Sequence, residues 1–413
     1  MKILFVVKSK AIETLGPMYL SAVARQAGAE TRIVAIENAC IVANIWQPDV
    51  VGLSVLTGNQ QAFIHLSKRL RMILPFDSKI IVGGPHATFF SEDFSHGDFD
   101  YIVPGEAEGW MTKHLGLYKE FPDLDSIPWP VRDDFPDMKI RDFMSSRGCP
   151  HRCRYCFNDK WIHMYPDIPR VKYRSVDDVI NEIDSVCPEF VYFQDSCFGV
   201  NIEWMRKFSE QYKSRIGIPF HCHLRPSQVT PERVSLLKEA NCLSTRIALE
   251  TASDKLRKVI GREQTSNEET IRSATLLRKA GIKLMIQNML CLPSSTIEDD
   301  LQTLEVNIQC KPDYAWASIF APYPGTALGD ECKEKGWYTG DYADLTESFF
   351  DRSVLNFTEE YKEQTYLLQK VFALAVEAQC LPGIGELTQS NIFTFIHRAM
   401  RKLGDGRLYG GVI

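Results

Sequence analysis

The chain has 413 residues, of which 45% are hydrophobic and 24% charged. Those fractions suit a soluble globular protein and exclude a disordered or collagen-like chain. With 47 basic and 53 acidic residues the net charge is −6, which leaves no basic footprint for nucleic acid and no polybasic membrane patch.

The length predicts two to three domains at roughly 100–200 residues each. Met1–Val7 opens directly as an apolar strand with no signal-peptide pattern, and no long apolar run follows. A cytoplasmic chain without a membrane span is expected. Twelve cysteines in such a chain point to metal or redox chemistry before disulfides.

The first hundred residues alternate strand and helix signals. Strands are predicted at Ile3–Val7, Thr31–Ile36, Val50–Leu56, Lys79–Val82 and Tyr101–Val103. Gly16-Pro17 opens a helix that Gly28 closes, and another runs near Gln60–Met72. Continuous apolar strands in β–α order imply an open, Rossmann-like parallel sheet with ligands at the strands' carboxyl ends. Phe121–Pro136 is rich in proline and reads as an extended linker.

From Arg141 the alternation resumes on a longer pitch. Strands are predicted at Phe143–Ser146, Phe190–Gln194, Phe220–Leu224, Thr245–Leu249, Lys283–Leu290 and Tyr314–Phe320. The intervening helices are Val176–Val186, Ile202–Lys213, Pro231–Ala240, Asn267–Ala280 and Thr296–Ile308. This pattern is most economically a partial (β/α)6 TIM barrel. After Trp337 come aromatic segments and helices at Glu359–Gln379 and Asn391–Lys402. The expected division is an α/β domain over 1–117, a linker over 118–140, a barrel over 141–336 and a small, mainly helical C-terminal cap over 337–413.

Cys149, Cys153 and Cys156 form a CxxxCxxC pattern just after the first barrel strand. Three thiolates on one short loop suit an iron–sulfur cluster. Such a cluster normally takes four protein ligands, so three leave one iron open. The alternatives are a zinc site completed by His151 or His163, or three structural thiols.

This pattern, with the aromatic Tyr155 before its last cysteine, resembles the radical S-adenosylmethionine (SAM) superfamily. Tyr192-Phe-Gln-Asp-Ser-Cys-Phe198 resembles the family's second-strand motif, with Asp195 its one acid. Ala248-Leu-Glu-Thr-Ala-Ser253 resembles the fourth-strand motif, with alanines for two glycines. Met289–Ser294 resembles the fifth-strand segment without its glycines, and Ala321–Thr326 the sixth-strand ending. The resemblance implies a [4Fe–4S] cluster whose open iron chelates SAM, and one-electron cleavage of SAM to a 5′-deoxyadenosyl radical. It implies SAM contacts from Tyr155, Phe157, Asp195 and Glu250. For Glu250, an ordinary strand-end ion pair is the rival.

In the N-terminal part, Ser54-Val-Leu56-Thr57, Gly83-Gly84-Pro85-His86 and Gly105-Glu106-Ala-Glu108 sit at successive strand ends. Singly these read as a helix cap or a tight turn. Together they resemble the B12-binding (cobalamin) radical SAM subfamily. The resemblance implies cobalamin contacts from Ser54, Leu56, Thr57, Gly83, Gly84, Pro85, Gly105 and Glu106. The D-x-H-x-x-G motif of histidine-ligated cobalamin proteins is missing. Lys8–Gly16 stands in its place, so cobalamin is expected base-off and His-off, with Lys8, Lys10, Ile12 and Glu13 nearest its lower face. His86 reads as structural or tail-contacting rather than ligating.

His221 and His223 share one strand face and are expected to line the active site. Arg225 at the strand end either pairs with the SAM carboxylate or forms a surface salt bridge. The other nine cysteines read as packing.

By the family's chemistry, the expected reaction is methylation of an unactivated carbon of a small molecule by methylcobalamin. A flavodoxin- or ferredoxin-type electron donor is implied. The competing readings are ring formation, oxidation or rearrangement, a radical SAM enzyme whose first domain is a non-cobalamin scaffold, and a non-catalytic zinc or redox-sensing protein.

Overall fold

The computed structural model describes residues 1–114, 116, 120–342, 345 and 348–403. The expected 117/118 boundary and the last ten residues of the expected cap lie outside the described residues. The fold divides into two compact units, residues 1–143 with 172–191, and residues 144–171 with 192–413.

In chain order the first unit begins with β1 (Lys2–Val7), α1 (Leu15–Gln26), β2 (Glu30–Ala35), α2 (Ala39–Trp46) and β3 (Val50–Ser54). It continues with α3 (Gln60–Arg71), β4 (Lys79–Gly83), α4 (Pro85–Phe89), β5 (Tyr101–Ile102) and α5 (Glu108–His114). The strands pair in parallel in the order β2-β1-β3-β4-β5. Leu4, Val6, Val51, Leu53, Ile80 and Val82 are buried against α2 and α3 around Phe63 and Leu70. In this doubly wound order the chain reverses direction between β1 and β3, and ligand crevices open at such a switch point.

The chain continues through β6 (Ile140–Phe143), β7 (Ser146–Gly148), α6 (Phe157–Met164), β8 (Val171–Tyr173), α7 (Val176–Val186) and β9 (Phe190–Phe193). Next come α8 (Ile202–Gln211), β10 (Phe220–His223), α9 (Pro231–Glu239), β11 (Cys242–Glu250), α10 (Asp254–Val259) and α11 (Asn267–Lys279). The last elements are β12 (Lys283–Leu290), α12 (Ile297–Cys310), β13 (Tyr314–Ile319), α13 (Ala327–Glu334), α14 (Glu359–Glu377) and α15 (Ile392–Leu403). The barrel sheet runs β6-β9-β10-β11-β12-β13, with β6 and β13 at its two edges. It is an open, partial barrel, as the strand count predicted. The helix starts follow from local chemistry. Ser175, Asn201, Thr230, Ser266 and Thr296 each accept a backbone N–H of the first turn, which satisfies a donor the helix leaves free.

One expected strand divides. Phe143–Ser146 is not continuous: β6 ends at Phe143, and Ser146–Gly148 pairs with β8 in a separate two-stranded sheet. The cause is Asp195. Its fully buried carboxylate accepts from Ser145 N at 2.9 Å, Ser145 Oγ at 2.6 Å and Ser146 Oγ at 2.5 Å, which draws residues 145–146 off the sheet line.

The C-terminal helices α14 and α15 share a core with β13 and α12. Leu368, Phe372 and Phe395 pack there against Ile297, Leu304 and Ala317. Tyr338, Leu345 and Leu355 pack instead with Leu256, Ile260 and Leu328, so this part of the expected cap covers α10 and α13. No described helix is long and apolar enough to cross a membrane.

Candidate functional site

The cysteine loop leaves β7 through Gly148, which has φ +97°. A Cβ there would stand 2.1 Å from the Arg170 carbonyl oxygen, so only glycine fits. From there the loop is held from two sides. Arg154 N donates to Ile260 O at 3.1 Å, and Leu328 N donates to Arg154 O at 2.9 Å. The Arg154 guanidinium donates to Val259 O at 3.0 Å and pairs with Glu331 at 2.6 Å. Gly261, at φ +69°, lets α10 approach: a Cβ would come within 2.9 Å of Arg154 Cγ. Loop position is therefore fixed by contacts of Arg154 and Leu328 that do not use the three thiols.

Burial raises the thiol pKa of both Cys149 and Cys156, and the charge of Cys153 raises each further. Arg225, buried, sets Nη1 3.9 Å from Cys153 Sγ, so it is not the surface ion pair its sequence position also allowed. Asn158 Nδ2 lies 3.6 Å from Cys156 Sγ. His151 is pushed down to about 4 by burial and then by the Arg225 and Arg262 charges, so it is neutral near pH 7. His163 Nδ1 is engaged by Asp159 O at 2.7 Å. Among the described residues no three His, Cys, Asp or Glu side chains converge on one point as a single-ion site requires. The three thiols lie on one short loop, and soft thiolates are the donor set an iron–sulfur cluster takes.

Glu250 faces the same loop. A register shift between Ala248 and Glu250 ends β11 in a bulge, and Glu250 adopts φ 65°. Bulges re-aim side chains, and this left-handed residue costs about 1–2 kcal/mol. The buried carboxylate accepts from Tyr155 Oη at 2.8 Å, with Arg262 Nη1 3.5 Å away. Burial raises the Glu250 carboxyl, and the Arg262 charge opposes that shift. Arg262 also donates to Ala248 O at 2.6 Å, while its buried Nε has no partner.

Asp195 differs from the expectation for a SAM contact. Both its oxygens are committed to Ser145 and Ser146, and it is fully buried; it anchors the strand that leads into the cysteine loop. The Phe157 ring packs 5.6 Å from Tyr323. Sequence reasoning missed Arg262, whose one available signal was its place directly after Gly261. Cys197, read as a packing thiol, is buried, and burial pushes it up to about 12.

His221 and His223 are brought together on the barrel sheet. His221 Nδ1 meets Ser244 Oγ at 2.8 Å, and its ring stacks on Tyr192 at 4.7 Å. His223 meets Tyr192 Oη at 2.9 Å and Arg246 Nη2 at 3.0 Å. Burial, followed by the Arg246 charge, lowers His221 to about 4 and His223 to about 2. Unfolded histidines titrate near 6.5. Below that pH the unfolded chain binds protons that the native chain refuses, so stability falls as pH drops from about 6.5 toward 4. Each such proton is worth up to about 1.4 kcal/mol per pH unit. Urea unfolding at pH 6.5, 5.5 and 4.5 is expected to show this acid limb, with a shallower slope in the His221→Gln/His223→Gln double variant. An equal slope in both proteins refutes neutral burial.

In the first unit, the candidate cobalamin residues gather at the carboxyl ends of β3 and β4. Val55 N donates to Gly83 O at 3.0 Å and His86 N donates to Val55 O at 2.9 Å. Gly84 has φ +90°, and a Cβ there would lie 2.8 Å from Val55 N. Ser54 and Thr57 are half-buried and Leu56 is exposed. Asn59 Oδ1 is buried without a partner. Pro85 opens α4, and Gly105 N donates to Thr88 Oγ1 at 2.9 Å. Glu106 pairs with Lys172.

Two lower-face candidates separate. Ile12 is 67% exposed at the end of β1, whereas Glu13 is buried. Glu13 does not face an open crevice, as expected of a residue under the corrin. It is bound by Arg132, by Arg141 at 2.8 Å and by Asp142 N at 2.7 Å. Lys10 lies over the Phe135 ring at 5.0 Å.

His86 is spent on the protein. Its Nε2 meets Asp93 Oδ2 at 3.0 Å and its Nδ1 meets Thr57 Oγ1 at 3.1 Å. Burial lowers its pKa, so the ring is neutral near pH 7. An ionised carboxylate only accepts, which puts the ring proton on Nε2 and makes Thr57 the donor to Nδ1. Phe90 and Phe94 pack on the ring at 5.0 and 5.5 Å. His86→Ala is expected to cost about 2–4 kcal/mol through the cavity it leaves. The visible spectrum of cobalamin added to the folded variant should not change; a shifted spectrum establishes His86 as a ligand.

Known proteins now bear on these two sites. Residues 143–306 match the Radical SAM superfamily and residues 1–113 match the B12 binding domain. The chain thus joins a B12 binding domain to a radical SAM domain. It is 24% identical over 328 residues to an uncharacterized methyltransferase of Pyrococcus horikoshii, covering 68% of this chain and 69% of that protein. It is 24% identical over 347 residues to the anaerobic magnesium-protoporphyrin IX monomethyl ester cyclase of Cereibacter sphaeroides, covering 70% of this chain and 54%, about half, of that protein. The radical SAM methyltransferase TsrM of Kitasatospora setae, solved with cobalamin and a [4Fe–4S] cluster, shares the fold. The TM-score is 0.66 at 16% identity, over 81% of this chain and 75% of that one.

Proposed function

We propose that this enzyme is a cobalamin-dependent methyltransferase that methylates a carbon of a small molecule. The observation that carries the reading is the cysteine loop itself. Three thiols on one loop are framed by Arg225 and by the buried Tyr155–Glu250–Arg262 group, whose Arg262 Nε lacks a partner. A [4Fe–4S] cluster here supplies the electron that cleaves SAM, and methylcobalamin supplies the methyl group.

In this reading Cys149, Cys153 and Cys156 hold the cluster. Arg225 balances thiolate charge beside Cys153 and meets the SAM carboxylate. Glu250, oriented by Tyr155 and Arg262, accepts from SAM hydroxyl or amino groups, and Phe157 borders the adenine. Asp195 acts through Ser145 and Ser146 as a positioning residue. Ser54, Leu56, Thr57, Gly83, Gly84, Pro85 and Gly105 line the cobalamin edge, where the orphaned Asn59 Oδ1 offers one acceptor. With His86 engaged and no histidine in Lys8–Gly16, cobalamin would bind without a histidine ligand, and exposed Ile12 of the β1–α1 loop would be offered to it. Residues 1–117 serve as the cobalamin domain, 141–336 as the barrel and 337–413 as the substrate-side region. A flavodoxin- or ferredoxin-type protein donates the electron.

Anaerobic reconstitution with iron, sulfide and hydroxocobalamin tests the reading. A cluster EPR signal, SAM cleavage and transfer of labelled methyl from SAM to a substrate carbon support it. Absence of the cluster signal overturns it. The cyclase relative favours a second reading, ring formation, which labelled methyl retained on cobalamin or SAM during turnover would single out.

A further inference from the structure

We infer that the inner face of the barrel sheet carries an oxyanion subsite centred on Arg246, and that it takes a carboxylate or phosphate group of the substrate. This rests on the radical SAM reading above for its location in a substrate-bearing barrel.

The face is defined by packing. Phe193 of β9 and Phe220 of β10 lie against Phe208 of α8 at 5.6 and 5.9 Å, so that side of the sheet is covered by helices. Strand alternation turns Tyr192, His221 and His223 to the opposite, inner side. Arg246 is the register partner of His223 on β11 and hydrogen-bonds it, which places Arg246 on that inner side too. Its neighbour on β12 is Met285, an apolar residue.

The guanidinium there is short of anions. Among the described residues its guanidinium donates one hydrogen bond, from Nη2 to His223 Nδ1 at 3.0 Å. Among the described residues no carboxylate lies within ion-pair distance of it, and it is half-buried. His223 cannot supply a countercharge. Because Arg246 only donates, His223 Nδ1 accepts, and its proton sits on Nε2 toward Tyr192. Glu250, four residues farther along β11, acts on Arg246 only through space and is already held by Tyr155 and Arg262. A cation kept in a partly dry place without an ion-pair partner is costly, and the remaining guanidinium N–H groups form the fork that matches an oxyanion.

The test uses the full chain, first without cluster, with malonate and inorganic phosphate as probes. Thermal unfolding is followed against chloride at matched ionic strength. A saturable rise in midpoint is expected, with half-saturation at least about tenfold higher in Arg246→Gln and intermediate in Arg246→Lys. Met285→Glu, which sets a carboxylate opposite Arg246 in register, is expected to fold and to lose the response. It keeps the test decisive if Arg246→Gln does not fold. No saturable response in the parent chain, or an unchanged response in folded Arg246→Gln or Met285→Glu, overturns the subsite. SAM affinity is then measured in cluster-loaded Arg246→Gln. A value within about twofold of the parent supports a substrate anion, whereas a tenfold loss makes the SAM carboxylate the occupant and overturns the assignment. Since the anion response needs no cluster, failure to cleave SAM would sink the radical SAM reading without touching this one.

Discussion

Cys153→Ala, reconstituted anaerobically beside the parent chain, is expected to cleave SAM at least about a hundredfold more slowly and to lose the cluster EPR signal. Even groups that only support a metal ligand cost 10–100-fold when removed, so loss of a ligand should exceed that range. The local geometry makes the result interpretable. Cys153 Sγ is approached by Arg225, but the loop is held by Arg154, Gly261 and Leu328 through backbone contacts that do not involve the thiol. The variant should therefore keep its fold, checked by an unchanged unfolding midpoint in the cluster-free protein. Cys187→Ala is the matching control. Its thiol is exposed at the end of α7 and donates only to Asp184 O, so cleavage should stay at the parent rate. A cluster signal that survives in Cys153→Ala would remove the three-cysteine assignment. Equal losses in both variants would indicate general thiol damage.

The legible parts of this fold were those governed by near-neighbour chemistry. The apolar runs at Lys79–Val82 and Lys283–Leu290 read as strands because sheets covered on both faces need continuous apolar residues. Val176–Val186 read as a helix from its periodicity, and in the structure Ser175 caps it. The short helices α2, α5, α6, α10 and α13 went unread, since one to two turns carry too little periodicity. The broken strand at Phe143–Ser146 was illegible for a different reason. Its cause, Asp195, is 50 residues away, and nothing local distinguishes Ser145 and Ser146 from strand residues.

The site divides in the same way. The cysteine spacing is local, so the loop was found. Glu250 was found through a motif, but its support was not, because Arg262 reaches it across α10 from a segment with no pattern of its own. Glu13 shows the opposite failure. It sits in the loop after β1, where ligands bind, and was available on sequence grounds; Arg132 and Arg141, distant in sequence, claim its carboxylate instead. His86 read as structural or tail-contacting, and Asp93 and Thr57 hold its ring in α4.

That reassignment of Glu13 yields the largest expected stability effect. Glu13→Gln should destabilise the first unit by about 3–5 kcal/mol, the cost of breaking a buried ion pair by removing one partner. The carboxylate is fully enclosed and serves three donors, Arg132, Arg141 and Asp142 N. An amide keeps one acceptor oxygen and turns an N–H toward a guanidinium that water cannot easily reach. The damage extends further, because Arg132 also pairs with Glu182 at 2.9 Å, and Glu182 with Arg174 at 2.5 Å. Arg132 lies over the Phe143 ring at 4.5 Å as well. Urea unfolding followed by circular dichroism reads the loss. Ile12→Ala, one residue earlier and 67% exposed, should change stability by no more than about 0.5 kcal/mol while weakening cobalamin binding, measured by its visible spectrum. If Glu13→Gln instead unfolds like the parent and loses cobalamin, the carboxylate belongs under the corrin, and the Arg132–Arg141 pairing is not what holds it.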